Sequence, residues 1–257
     1  KHMVSKEIGI YTADNIRKKD DSLFLEITLD NQIFNLPIIN VGDKLNPEYI
    51  AILNPMEPGL GEAGANVLAE MLKQLEINLI ITAPSLKSEE MVLEANQKSG
   101  ISHEPIVMLG GSIKAGGEKY TFSEEEVIDL ASPNGEKYWI EECRPITLGP
   151  EDPSKFFAIN EEILLEIIKL IEQGKKIAIV DDVYSSGATV ESLKRLIGKA
   201  LQEKGAMVPS IPIVVVAREA LGETEIFKNP EALEADNQAL NLYASILIPV
   251  LLEVPEL

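Results

Sequence analysis

Apolar and polar positions alternate near the start of the chain. SLFLEITL (22–29) has a two-residue period, Asp30-Asn31 supplies turn residues, and QIFNLPII (32–39) continues the pattern. Alternation of this kind marks half-buried strands joined as a hairpin, one face toward a core and the other wet. Residues 4–54 are therefore expected to form a small antiparallel β segment, and residues 55–257 a separate core.

The period then changes. After Gly59-Leu60-Gly61, the apolar positions Val67, Leu68, Met71, Leu72 and Leu75 recur with helical spacing. NLIITA (78–83) is a short continuous apolar run, as expected of a strand covered on both faces. A turn at 84–88 leads into a helix over about 89–97, and PIVML (105–109) reads as the next buried strand. This rhythm predicts a parallel sheet with right-handed crossovers.

Residues 110–157 interrupt it. Glycine pairs, Pro133-Asn134-Gly135 and flanking alternation predict a projecting hairpin or a long mobile loop. Regularity returns at Asn160, a good N-cap followed by Glu161 and Glu162, with Gly174 placed to end the helix. Ile163, Leu164, Ile167, Ile168 and Ile171 form its buried face. A strand at 177–180 follows, and then a helix carrying Val190, Leu193, Leu196, Ile197 and Leu201 on one side. IPIVVVA (211–217) is a further buried strand, and the C-terminal part mixes a helical approach with a last strand. The fold class expected is α/β: an open parallel sheet flanked by helices, with a β-rich appendage and a long hairpin or loop.

Composition sharpens this picture at a few points. The chain has 257 residues, 45% of them apolar, and a mean hydropathy of +0.04, which are globular values. Lys1-His2 ahead of Met3 reads as a leftover of recombinant expression. No apolar run approaches a membrane span, so no membrane partner is expected. Cys143, the single cysteine, excludes an internal disulfide and a paired-cysteine metal knuckle, and points to a reducing, cytoplasmic home. The formal charge of −19 repels polyphosphate backbones, which argues against nucleic-acid partners. An anionic ligand would need a locally prepared site.

KIAIVDDVYSSGATV (176–190) offers one. Asp181 and Asp182 end a buried strand, where ligands of open parallel sheets bind. Tyr184-Ser185-Ser186-Gly187-Ala188-Thr189 then leads into a helix N-terminus. Backbone amides there cradle anions, and the helix end adds favourable partial charge. Small residues admit a phosphate to the main chain, while Ser185, Ser186 and Thr189 can donate from their hydroxyls. Gly187 allows an unusual backbone conformation. Two carboxylates beside a phosphate cradle repel unless something polar lies between them. A ribose 5-phosphate satisfies both halves, and a bound Mg²⁺ would further offset the charge. The bland reading of the same residues is a surface turn with fortuitous acids.

At these residues, VDDVYSSGAT (180–189) resembles the phosphoribosyl-pyrophosphate (PRPP) binding motif of type I phosphoribosyltransferases. The resemblance implies that Asp181 and Asp182 hold the ribose hydroxyls and contact Mg²⁺ only indirectly, through PRPP and water. It implies a 5-phosphate loop made of Val183, Tyr184, Ser185, Ser186, Gly187, Ala188 and Thr189. TAPSLKSEE (82–90) occupies the place of the family's pyrophosphate loop, with Ser85, Leu86, Lys87 and Ser88 as its residues and Lys87 as a catalytic cation. The 110–157 segment matches the family's closing loop, in which Lys114, Lys119 and Arg144 could reach phosphate. Tyr138 and Trp139 could stack on a base there, strand packing being the ordinary alternative. The N-terminal segment corresponds to the base-recognising hood, and a homodimer is the family default. Sharp at one motif and positional elsewhere, the resemblance covers about residues 59–217.

Members acting on 6-oxopurines usually carry an acid where Ser185 stands, which turns the expectation toward adenine-like or orotate-like acceptors. The stretch is also similar to a competence-protein branch, whose zinc-type cysteines are absent here. The resemblance thus implies transfer of phosphoribosyl from PRPP to a nitrogenous base with release of pyrophosphate. A non-catalytic PRPP-sensing protein is the alternative. A PRPP synthase would need an ATP site and a duplicated domain, which the sequence does not show.

Overall fold

A computed structural model describes residues 8–43, 45–85, 87–113, 120–122, 126–128, 137–143 and 155–253. Lys1, His2 and Met3 lie outside the described residues. β1 (Gly9–Ile10) joins the central sheet, whereas β2 (Ile16–Lys19), β3 (Ser22–Leu29), β4 (Gln32–Asn40) and β5 (Tyr49–Ala51) form an antiparallel sheet of four strands. In the β3–β4 hairpin Leu29 pairs with Gln32, and both turn residues have positive φ, 49° at Asp30 and 61° at Asn31. Such a turn matches the right-handed twist of its strands. Leu25, Ile27 and Leu29 are buried by this hairpin, while Ile33 stays exposed.

The core continues through α1 (Leu60–Gln74), β6 (Leu79–Thr82), α2 (Glu89–Ser99) and β7 (Ile106–Val107). Next come β8 (Leu109–Ile113), β9 (Tyr120–Phe122), β10 (Glu126–Ile128), β11 (Tyr138–Cys143) and β12 (Lys155–Asn160). The last run is α3 (Glu161–Glu172), β13 (Ile177–Tyr184), α4 (Ala188–Glu203), β14 (Ile213–Leu221), α5 (Pro230–Leu240) and β15 (Leu242–Val250).

The central sheet has six strands in the order β1-β15-β14-β13-β6-β7, and every pairing is parallel. Its apolar runs are buried on both faces. Ile179, Ile213 and Val215 pack with Leu164, Ile167, Leu193 and Leu196 of α3 and α4. Val180, Val214 and Val216 pack on the other side with Leu68, Leu72 and Met91 of α1 and α2. Leu25, Ile27 and Leu36 of the antiparallel sheet join that second cluster, so this sheet is seated on α1 rather than detached. Continuous rather than alternating hydrophobicity is what this two-sided burial requires.

Setting β1 aside, the strands linked by helices stand in the order second, first, third, fourth, fifth. The winding therefore reverses between β6 and β13, and such a switch point opens a crevice at the carboxyl ends of its two strands.

Local signals explain the helix boundaries. The Asn160 side chain accepts from the Ile163 amide at 2.9 Å, and Gly174 takes a φ of 73° just beyond α3. Asn229 caps α5 with Pro230 in its first turn, and Asn241, at φ 53°, turns the chain into β15. Among the described residues no helix is long and apolar enough to cross a membrane.

Two expectations need correction. PIVML does not continue as one strand: β7 is short, Met108 donates to the Thr82 carbonyl at 2.9 Å, and the chain then leaves the parallel sheet as β8. That departure brings Gly110 against the Pro84 ring, 2.4 Å from where a Cβ would stand. Segment 110–157, in turn, is more than a projection. Its described parts form an antiparallel sheet in the order β10-β9-β8-β12-β11, and β11 lies along α4. Trp139, Phe157 and Ile159 enter the α3–α4 core, while Phe156 and Ala158 are buried on the opposite face of β12. The apolar run FFAI (156–159) straddles the expected boundary at 157, and burying it on both faces makes β12 a strand of this layer.

Candidate functional site

β13 carries Asp181 and Asp182 to the carboxyl edge of the sheet, beside the end of β6 at the switch point. Each folds back on the chain: Asp181 Oδ1 accepts from the Asp182 amide, and Asp182 Oδ1 from the Val183 amide, both at 2.9 Å. Asp181 is buried, with 9% of its surface exposed. Its carboxyl is held well above the usual carboxylate range, first by burial and next by the negative charge of Asp182.

The turn is shorter than the sequence suggests. Val183 and Tyr184 are still strand residues, paired with Ala217 and Arg218 of β14, and α4 begins at Ala188. Only Ser185, Ser186 and Gly187 lie between. Tyr184 is buried and packs beneath the turn, and burial is the main reason its hydroxyl is held above the usual tyrosine range. Ser185 and Ser186 are exposed, and Gly187 has a φ of 75°. In the first turn of α4 the Glu191 amide donates to the Gly187 carbonyl at 2.9 Å, the Ala188 amide makes a 3.4 Å contact with Ser186 Oγ, and the amides between them precede the first intrahelical bond. A helix N-terminus with such amides offers donors of the kind that bind anions.

The β6–α2 loop approaches the acids from the other side. Its Ser85 carbonyl accepts from the Glu89 amide at 2.9 Å, and Ser85 Oγ accepts from the Ser88 amide at 3.4 Å. Ser88 is fully buried, and its hydroxyl has no hydrogen-bond partner at ordinary distance. It stands near enough to Asp181 to draw that carboxyl part of the way back down. Lys87 is exposed and forms no ion pair among the described residues. Leu86, Lys114, Lys119 and Arg144 lie outside the described residues.

Trp139 belongs elsewhere. It is buried on α4, its indole Nε1 donates to Glu203 at 2.7 Å, and Lys137 Nζ lies 4.6 Å from the ring centroid. Glu203 ends the helix that Ala188 begins, roughly 22 Å away at 1.5 Å per residue. Trp139 and its neighbour Tyr138, partly buried on β11, are packing residues.

The sequence places the end of the next strand, β14, at Ala217, short of two charged residues. In the structure β14 runs to Leu221, placing Arg218 and Glu219 at the same edge. Charges closing an all-apolar strand repeat the signal that singled out Asp181 and Asp182 on β13. The Arg218 guanidinium is buried and donates to Asp236 and Asn237 of α5, with its Nε left without a partner. Burial raises the Glu219 carboxyl above its usual range, Ser185 opposes that shift, and the charge of Asp182 adds to it.

No protein-family model matches the sequence, and no curated protein matches it. Among solved structures, the chain is similar to the adenine phosphoribosyltransferase of Giardia lamblia complexed with 9-deazaadenine. The identity is 12% and the TM-score 0.41, over 76% of this chain and 82% of that one. It is similar also to the adenine phosphoribosyltransferase of Rhodothermus marinus, at 13% identity and TM-score 0.39, over 75% and 81%. A purine phosphoribosyltransferase from Pyrococcus horikoshii overlaps at 14% identity and TM-score 0.35, over 74% and 85%.

Proposed function

We propose that the protein transfers the 5-phosphoribosyl group of PRPP to a nitrogenous base and releases pyrophosphate. The observation that carries this reading is the placement of Asp181 and Asp182 at the switch point, next to the bare turn at Gly187 and the N-terminus of α4. One side offers acceptors for the ribose hydroxyls, and the other offers amide donors for the 5-phosphate.

In this reading Asp181 and Asp182 hold the sugar hydroxyls and stabilise the positive charge that develops on the ring as pyrophosphate leaves. Ser185, Ser186, Gly187, Ala188 and Thr189 hold the phosphate, with Val183 and Tyr184 as the strand beneath them. Ser85, Lys87 and Ser88 receive the pyrophosphate, and Lys87 supplies a compact positive charge. Rate enhancement comes from positioning and electrostatics, so a dedicated general base is not required.

In this reading Mg²⁺ is carried on the diphosphate, and Asp181 and Asp182 would contact it only through the ribose and water. When bound, the ion would offset the charge of the leaving group.

The test is incubation with PRPP, Mg²⁺ and a panel of purine and pyrimidine bases, following pyrophosphate. Release with at least one base is expected. Measurable PRPP binding without release for any base would replace the enzyme reading with that of a PRPP-sensing protein.

A further inference from the structure

Two layers of the fold meet at the start of the β6–α2 loop. Thr82 and Ala83 are buried at the end of β6, and Pro84 is the first exposed residue beyond them. β8, the middle strand of the antiparallel sheet, begins beside this point. The Met108 amide just ahead of it donates to the Thr82 carbonyl at 2.9 Å, which fixes the start of the strand against the loop. Two residues on, Gly110 meets the proline ring. A Cβ there would stand 2.4 Å from Pro84 Cγ and 3.4 Å from its Cδ. Gly110 is not among the glycines with positive φ, so the demand for glycine is one of space. A glycine inside a strand commonly marks such a close approach.

Neither side of this contact can give way cheaply. The pyrrolidine ring is rigid and cannot swing aside as a flexible side chain would. β8 is paired with β9 on one side and with β12 on the other, where Gly110 stands opposite Phe157. Phe157 is itself buried in the α3–α4 core. Beyond β12, β11 is tied to α4, Trp139 donating to Glu203 at 2.7 Å and Arg195 to Glu141 at 2.8 Å. The antiparallel sheet is thus fastened to the helix that follows Gly187, while its middle strand bears on the loop that carries Ser85, Lys87 and Ser88.

We infer that Gly110 is a positioning residue for the β6–α2 loop: the gap it leaves seats the Pro84 ring and so sets where Ser85, Lys87 and Ser88 stand relative to Asp181. This inference rests on the phosphoribosyl reading, which assigns that loop to the pyrophosphate, and it gives the antiparallel sheet a part in holding that end of the site. A methyl group at position 110 would sit about 1 Å inside ordinary carbon–carbon contact with the ring, and misplacement on that scale spoils the geometry of a binding loop.

The test is calorimetric titration of two probes, pyrophosphate with Mg²⁺ and ribose 5-phosphate, into the wild type, Gly110→Ala, Pro84→Ala and the double variant. Gly110→Ala should bind pyrophosphate about tenfold more weakly, while its unchanged ribose 5-phosphate affinity reports that the variant is folded. Pro84→Ala, which leaves the seat empty, should weaken pyrophosphate about threefold. In the double variant the new methyl has no ring to strike, so pyrophosphate should bind as it does to Pro84→Ala, without multiplication of the two losses. Multiplied losses, a wild-type pyrophosphate affinity in Gly110→Ala, or equal loss of both probes overturns the assignment of Gly110 while the phosphoribosyl reading stands. Should Gly110→Ala fail to fold, the double variant decides alone: binding at the Pro84→Ala level supports the inference, and weaker binding overturns it. Failure of ribose 5-phosphate to bind the wild type overturns the phosphoribosyl reading and this inference with it.

Discussion

Tyr184 lies against Gly187 so closely that a Cβ added to the glycine would fall 2.5 Å from the tyrosine Oη and 2.7 Å from its Cζ. The contact joins the buried end of β13 to the turn it supports, and Gly187 also holds a φ of 75°. Gly187→Ala should therefore cost about 1–3 kcal/mol of stability and weaken ribose 5-phosphate binding at least about tenfold. Adding Tyr184→Phe should recover only part of this, because the ring and the positive φ remain. Chemical denaturation and calorimetry read the two effects separately. Full recovery in the double variant would mean that the hydroxyl contact alone dictates the glycine.

Asp181 sets function against stability. Its folded pKa is raised, so the native state binds the proton more tightly than the unfolded chain does. Stability should then fall as pH rises from the ordinary carboxylate value, 3.8, toward the raised one, and stay lowered at neutral pH. Asp181→Asn removes the ionisation and should raise Tm at pH 7, narrowing its advantage as the pH approaches 4. The same substitution, paired with Asp182→Asn, should abolish PRPP binding. A lower Tm for Asp181→Asn at pH 7 would contradict the burial account, and unchanged PRPP affinity in the double variant would sink the site.

Arg218 reaches α5 through two different partners, the Asp236 carboxylate and the Asn237 amide oxygen. Its side chain is 9% exposed and that of Asp236 is 47% exposed, so solvent screens one end of the pair. Asp236→Ala should cost about 1–2 kcal/mol, less than the 3–5 typical of breaking a fully buried pair, because water and Asn237 still serve the guanidinium. Arg218→Lys should not restore wild-type stability, since an ammonium cannot make the forked contact. Urea titrations of the two variants decide this, and a lysine variant as stable as wild type would refute it.

The sequence made β13 and its turn legible because burial on both faces and a turn with positive φ leave residue-type signatures: IAIV, paired acids, then small residues around Gly187. The β3–β4 hairpin was equally readable, since Asp30 and Asn31 tolerate positive φ. Arg218 was not, because its partners Asp236 and Asn237 lie on α5 and meet it only through the fold. Nor was the layer formed by β11 and β12, whose burial depends on the α4 surface they meet. The motif runs on through Val183 and Tyr184, but ladder pairing with β14 keeps them in the strand.

Ser88 and Lys87 are neighbours in sequence with opposite environments, and their variants should separate cleanly. Ser88 carries a fully buried hydroxyl whose one neighbour, the Asp181 carboxyl, lies beyond good hydrogen-bond geometry, a group that costs free energy. Ser88→Ala should leave stability unchanged or raise it by up to about 1 kcal/mol, and the Asp181 carboxyl should rise further without the hydroxyl beside it. Lys87 is exposed and unpaired among the described residues, so Lys87→Ala should leave Tm within about 1 °C of wild type. Under the phosphoribosyl reading both variants weaken pyrophosphate binding, Lys87→Ala by about tenfold at low salt through lost charge and with a shallower salt dependence than wild type, whereas Ser88→Ala keeps the wild-type salt dependence. Calorimetry with pyrophosphate and Mg²⁺ at low and high ionic strength measures the difference. Equal salt dependence in the Lys87→Ala variant and the wild type would remove Lys87 from the site.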